Sequence, residues 1–343
     1  MQANEINNLI SNILSKLTGD YETDIKYLDE QTKIYKDHEN SREILRGIGR
    51  AMAEITPDDK KEELRKYVNN DLLKKNVLID EANFYIYKKD FENAYSLLNE
   101  NLTKFEESGF FVDDEVSEYH YFPNGIEKIL YLSIIKPKKK CRDAIYNLGE
   151  MYRLLGYTLI ELGRTEEAKK ALEKGIKWNP MDLEIKFEYY ETFKLEDKDR
   201  FLKSSKDAMK IAFQKKDIAR IYRNIGFTLI EMENYEPAAY SYLLSNTWEP
   251  NERNASELYY IQQESGIDYG NPTPEHLFKC LEENDIPIGP DKDVVVTLYQ
   301  VAMAFEEQKF YSDALNTYMI LNDLIEDDEI SNKIEKLKVL KEN

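Results

Sequence analysis

The chain has 343 residues, with 66 acids against 47 Lys and Arg, and a formal net charge of −19. That balance disfavours a nucleic-acid backbone, which needs basic side chains to displace counterions, and an anionic membrane surface. Hydrophobic residues at 42% are too many for a disordered chain, and 13 glycines with 10 prolines are too few breakers for a strand-rich one.

Cys141 and Cys280 lie far apart and form neither a metal-ligand spacing nor a disulfide framework, which fits a reducing compartment. The opening Met1 to Ile6 has no basic segment or apolar run, and no later stretch is long and apolar enough to span a bilayer. A cytoplasmic location is expected.

In chain order, residues 1–74 read as an N-terminal helical region. Ile6, Leu9, Ile10, Ile13, Leu14 and Leu17 make an amphipathic stripe. Such a stripe suits a helix capping the rest of the fold, or a dimer seam, so monomer and homodimer stay open. Ser41 to Arg50 is the one candidate for a DNA-reading helix, and it is short and interrupted by Gly47 and Gly49. Helices are then expected over Val77–Tyr87 and Phe91–Leu98, with Ala82 and Ala94 twelve positions apart. The segment 109–148 is irregular. Phe111 to Glu115 reads as a loop and Phe122 to Gly125 as a turn before an apolar helix, Ile126 to Ile135. The basic run Lys136 to Arg142 reads as a solvated loop, with an anionic partner as the competing reading.

The strongest signal follows. The stretches from Tyr152 to Ala168 and from Tyr222 to Ala238 share a small residue (Gly156, Gly226), a Thr-Leu-Ile-Glu run, an alanine (Ala168, Ala238) and a closing proline (Pro180, Pro250). Corresponding residues are 70 apart, about two units of a ~34-residue repeat. Two antiparallel helices that cross closely need a tiny residue on each at the contact. Larger neighbours such as Tyr152, Leu155, Leu172, Tyr222, Ile225 and Tyr242 fill the space around it at helical spacing. Weaker units are expected at 183–218, with Phe187, Tyr190 and Phe193 on the first helix, at 253–292, where Thr273-Pro274 begins a helix, and around Ala302 and Ala314.

These features resemble the tetratricopeptide repeat (TPR) family. The resemblance implies an all-α fold, a right-handed superhelical solenoid of antiparallel helix pairs over 75–328, with residues 329–343 as a C-terminal capping helix. It also implies that the first helix of each pair lines a concave groove. The groove-facing residues would be Arg153, Tyr157, Arg220, Arg223 and Phe227, with Asn224 in the slot where some relatives carry the asparagine that grips a peptide carboxylate. Arginine suits a carboxylate because its planar fork donates two hydrogen bonds at once. The competing reading pairs these arginines with groove acids such as Glu161 and Glu231.

No glycine-rich phosphate loop, nucleophile elbow or paired metal-ligand motif appears, and His38, His120 and His276 share no spacing that would join them. Acidic clusters such as Asp113-Asp114-Glu115 lack the alternating ligands of a calcium loop. No catalysis, metal or cofactor is therefore expected. The expected function is a scaffold holding a protein or peptide, acidic or carboxylate-ended, in the groove. The alternatives are an intracellular regulator sensing a peptide in the same groove, and an enzyme with an unrecognised site.

Overall fold

The structure, a computed structural model, describes residues 3–35, 38, 40–57 and 77–342. The proposed boundary near residue 74 lies outside them, as do the side chains of Ile6, Arg42, Arg46 and Arg50. Helices α1 (Ala3–Leu14) and α2 (Tyr21–Tyr35) both pack against α3 (Ser41–Ile55). They enclose a buried cluster of Ile13, Leu28, Ile44, Ile48 and Ala51. The turn between α1 and α2 is fixed by Asp24, whose carboxylate accepts from the backbone N–H groups of Thr18 and Gly19 at 2.8 and 2.9 Å.

A second body of helices begins with α4 (77–87) and α5 (Phe91–Ser108). Gly109, in the left-handed conformation that glycine adopts at little cost, closes α5. The irregular segment then forms strand β1 (Ser117–His120), α6 (Gly125–Leu130), a π-helical turn (Tyr131–Ile135) and strand β2 (Lys140–Asp143). The strands pair in parallel, Ser117 opposite Lys140 and His120 opposite Asp143. The expected apolar helix Ile126 to Ile135 is thus α-helical only to Leu130 and widens into the π turn.

Regular pairs follow: α7 (Leu148–Glu161) with α8 (Thr165–Trp178), α9 (Leu183–Glu191) with α10 (Lys198–Ala208), and α11 (Lys215–Glu231) with α12 (Tyr235–Trp248), whereas α13 (Glu252–Ser265) and α14 (Pro274–Glu283) both pack on α12 rather than closely on each other, unlike the pair expected over 253–292. Their starts follow local chemistry. The side chains of Asn147, Asp182, Asp197 and Thr273 each accept a backbone N–H of the first turn. The α9–α10 pair ends earlier than its sequence span suggested, with a 3₁₀ turn at Met209–Ile211, and Phe193 lies just past α9 rather than on it. Apart from the short β1–β2 pair, the described residues form an all-α fold of successively packed helices.

The close crossings are where the repeat places its small residues. A Cβ on Gly156 would stand 2.5 Å from Leu172 Cγ, and one on Gly226 would stand 2.7 Å from the Tyr242 ring. Ala168 and Ala238 are fully buried. A further close approach, not read from the sequence, brings Gly149 against Gly175: a Cβ on Gly175 would meet the Gly149 carbonyl oxygen at 3.3 Å and Ile185 at 3.1 Å.

The last pair, α15 (Lys292–Glu307) with α16 (Tyr311–Ile325), does more than extend the row. Besides α16, α15 packs on α6, the π turn and the 3₁₀ turn. The loop leading to it crosses α11: Tyr222 donates its hydroxyl to the Pro287 carbonyl at 3.1 Å and accepts the Gly289 N–H at 2.9 Å. Gly289 sits so close to Met209 that a Cβ would fall 2.6 Å from its sulfur. One core therefore runs from Ile126 and Leu130 through Tyr222 to Val294 and Leu298. Helix α17 (Asp328–Glu342) covers α16 with Ile330, Ile334 and Leu337.

Candidate functional site

The first helices α7, α9 and α11 carry every candidate residue or its partners. Arg153 on α7 makes two 2.7 Å bonds to Glu150, one turn earlier on the same helix. This forked pairing holds its guanidinium more firmly protonated than usual, against the opposing effect of burial. Tyr157, one turn later, meets the Phe91 ring edge-on at 6.4 Å. Burial, then the neighbouring Glu161, raises its hydroxyl pKa.

Arg220 on α11 reaches the other way, to α9. Its guanidinium lies 3.4 Å from Glu184 and 4.0 Å from Glu188, and stacks over Phe187 at 4.6 Å. Arg223 turns to α12 and the chain beyond it, 3.3 Å from Ser245 Oγ and 3.5 Å from Glu249. Burial lowers the pKa of Arg223, with Glu249 opposing. Phe227 carries the ammonium of Lys194 over its ring at 4.0 Å.

The arginines thus have acid partners, but not the two named from the sequence. Glu231 pairs with Lys198 at 3.0 Å, and Glu161 attends Tyr157. The reason is lateral placement. Helix α9 lies between α7 and α11, so Glu184 and Glu188 on its exposed side stand nearer Arg220 than any acid one turn along α11. Arg153 also acts on both. Burial raises the pKa of Glu188, and the two arginines oppose that rise.

Asn224 differs from its neighbours. It is 6% exposed, and its amide nitrogen is buried with no hydrogen-bond partner. A buried unpaired donor costs about 1–3 kcal/mol. On the adjoining first helix α13, Asn254 is similarly placed. Its nitrogen donates to Ser245 and Asn246, while its oxygen is buried and unpartnered.

Beneath this wall, Asp217 is buried at the start of α11. Its pKa is pushed up to about 7 by burial, with Lys216 opposing and Glu184 and Asp182 adding to the rise. A second polar centre joins the irregular segment to α8. His120, buried on β1, places Nδ1 2.9 Å from the Lys177 carbonyl oxygen, and Tyr131 on the π turn stands 3.2 Å from its Nε2 while donating to Glu118 at 2.7 Å. Sequence reasoning had no signal for this centre, because its members meet only where β1 packs against the π turn and the end of α8. Among the described residues, no group of three or more His, Cys, Asp or Glu has the geometry to hold a metal ion, and no helix is long and apolar enough to cross a membrane.

Comparison with known proteins adds the following. A family model described as tetratricopeptide repeat matches residues 149–181, which span α7 and α8. No curated protein matches. Among solved structures, a chain in the crystal structure of the APC/C hetero-tetramer Cut9–Hcn1 is similar at 15% identity and a TM-score of 0.32, covering 100% of this chain. This chain spans 64% of the length of that one.

Proposed function

The chain carries a tetratricopeptide repeat at residues 149–181 within an array of helix pairs, and on that premise we propose that it is a scaffold binding an extended segment of a partner protein. The segment lies along α7, α9 and α11 and presents a carboxylate to Arg220 and Arg223. The observation that carries this reading is the unpaired amide of Asn224, buried on the same helix as those arginines and Phe227. A ligand carbonyl or carboxylate supplies the acceptor it lacks.

Distances rank the arginines. The ion pairs of Arg220 and Arg223 are long, 3.4–4.0 Å and 3.5 Å, and half-exposed. Pairs of this kind contribute about 0–1 kcal/mol, so exchanging them for a ligand carboxylate costs little. Arg153, bound twice by Glu150 at 2.7 Å, is committed to its own helix and serves as groove wall. A regulator sensing a short peptide would use the same residues. The packing of α15 against α6 favours that second reading, because it ties the far end of the array to its middle.

The test needs a partner recovered from the source cell and calorimetry on Arg220→Ala/Arg223→Ala. Loss of two charge-assisted contacts should weaken binding by at least about 1–3 kcal/mol, and wild-type affinity should fall as salt rises. Unchanged affinity in the double variant places the binding surface elsewhere.

A further inference from the structure

The two-stranded sheet of the irregular segment is open on one side. In a parallel ladder, alternate residues send both backbone groups to the same neighbour. On β2 the N–H groups of Lys140 and Ala144 reach the carbonyls of Val116 and His120 on the β1 side, at 2.8 and 2.7 Å. The N–H and C=O groups of Cys141 and Asp143 therefore face away from β1. The outer side of β1 is differently disposed: the Tyr119 N–H is taken by Asp113 and the Tyr121 N–H by the Trp178 carbonyl. An unpaired strand edge is a template for a further strand.

Charge selects what could pair there. Lys136, Lys138, Lys139 and Lys140 are exposed, and among the described residues none forms an ion pair, in a chain of net charge −19. The nearest acid on the strand, Asp143, is neutralised by two 2.7 Å bonds from Lys128. The π turn leading into this run leaves Leu132 and Ile135 43% and 48% exposed, so apolar surface accompanies the charge. Lysines on a short edge ordinarily repel stray strands. An acidic strand turns the same lysines from repulsive to attractive.

We infer that the free edge of β2 is a second docking surface, independent of the groove, which pairs by backbone hydrogen bonds with an extended acidic segment of a partner protein. The segment adds as a third strand beside Cys141 and Asp143, with acids placed to meet Lys140 and the lysines before it.

A fluorescent peptide of alternating glutamate and valine serves as the probe, read by anisotropy at low and high salt. Asp143→Pro deletes an outward N–H, which a strand edge tolerates. Asp143→Ala removes the same ion pair but keeps that N–H. Binding should drop at least about tenfold in Asp143→Pro relative to Asp143→Ala, since backbone pairing supplies the affinity in this mode. It should also be lost in Lys138→Glu/Lys139→Glu/Lys140→Glu, and persist in Arg220→Ala/Arg223→Ala, which separates this surface from the groove. A lysine-valine peptide should not bind. Equal binding by the proline and alanine variants would overturn the proposal. So would no binding of the acidic peptide at low salt, or lysine-dependent binding to phosphatidylserine vesicles in place of the peptide.

Discussion

The sign of a glycine substitution here depends on what stands beside it. At Gly156 an added Cβ would fall 2.5 Å from Leu172 Cγ, an atom near the backbone of a fully buried side chain. Gly156→Ala therefore overpacks the α7–α8 crossing, and such changes cost about 1–3 kcal/mol. At Gly49, mid-helix in α3, nothing lies within 4 Å. Gly49→Ala gains helix propensity and should stabilise by roughly 0.5–1 kcal/mol. Denaturant titration of both variants should give midpoint shifts of opposite sign. Asp217 supports a prediction in pH. Its folded pKa is raised from 3.8 to about 7, so the folded state holds its proton where the unfolded state has released it. Stability from this group is present in full below pH 3.8 and is lost as pH rises to about 7. Asp217→Asn removes the ionising carboxyl. It should stabilise on the order of 1–3 kcal/mol at pH 8, and the advantage should shrink steadily as the pH is lowered toward 4. A pH-independent difference would mean that the carboxyl titrates normally. The legibility of single residues divides along the same lines. Gly156, Gly226, Ala168 and Ala238 were legible because a close helix crossing tolerates little else. The acids facing Arg220 were not, because they come from the neighbouring pair and sequence offers no lateral register between helices.

Among the elements, the loop between α14 and α15 has the largest effect for its size. The hydroxyl of Tyr222 serves both the Pro287 carbonyl and the Gly289 N–H. Tyr222→Phe keeps the ring and strands both backbone groups, at a cost of about 1–3 kcal/mol. Hydrogen exchange should then quicken in α15 and α16 while α7 and α8 keep wild-type protection. Uniform loosening of all four would show that the hydroxyl supports the whole core. The helix pairs α7–α8 and α11–α12 were readable from apolar spacing and terminal prolines. The start of α14 was readable from Thr273-Pro274, whose side-chain cap is present. The strands were not. A four-residue β1 and a four-residue β2 joined across 19 intervening residues carry no local periodicity, and only their pairing makes them strands.

For the whole molecule, burial is unevenly shared. The α1–α3 cluster encloses Ile13, Leu28, Ile44, Ile48 and Ala51 among the described residues, whereas the central core runs through at least six helices from α6 to α17. Hydrophobic stabilisation scales with buried apolar area, and smaller cooperative units open first. Amide exchange in mild denaturant should therefore release α1–α3 before α11 and α12. Simultaneous release would mean that the N-terminal helices are bound to the array as tightly as its own pairs are to each other. The overall class was legible, since α7–α8 and α11–α12 repeat one rule of small residues at their crossings. The return of α15 onto α6 was not, because it joins residues such as Leu130 and Leu298 that no repeat relates.

That return changes the mechanics of the array. A row of helix pairs touching only its neighbours behaves as a spring, and its groove widens or narrows by small turns at each joint. Here α15 rests on α6, the π turn and the 3₁₀ turn at once, so the middle of the spring is clasped. Opening the stretch between α6 and α15 means prying α15 off Leu130 or dragging the 286–290 loop from Tyr222. The bend at α9 and α11 is thereby held at one curvature. A partner must fit the groove as it stands or break the clasp, and force applied at the two ends of the clasped stretch would be felt first at the clasp.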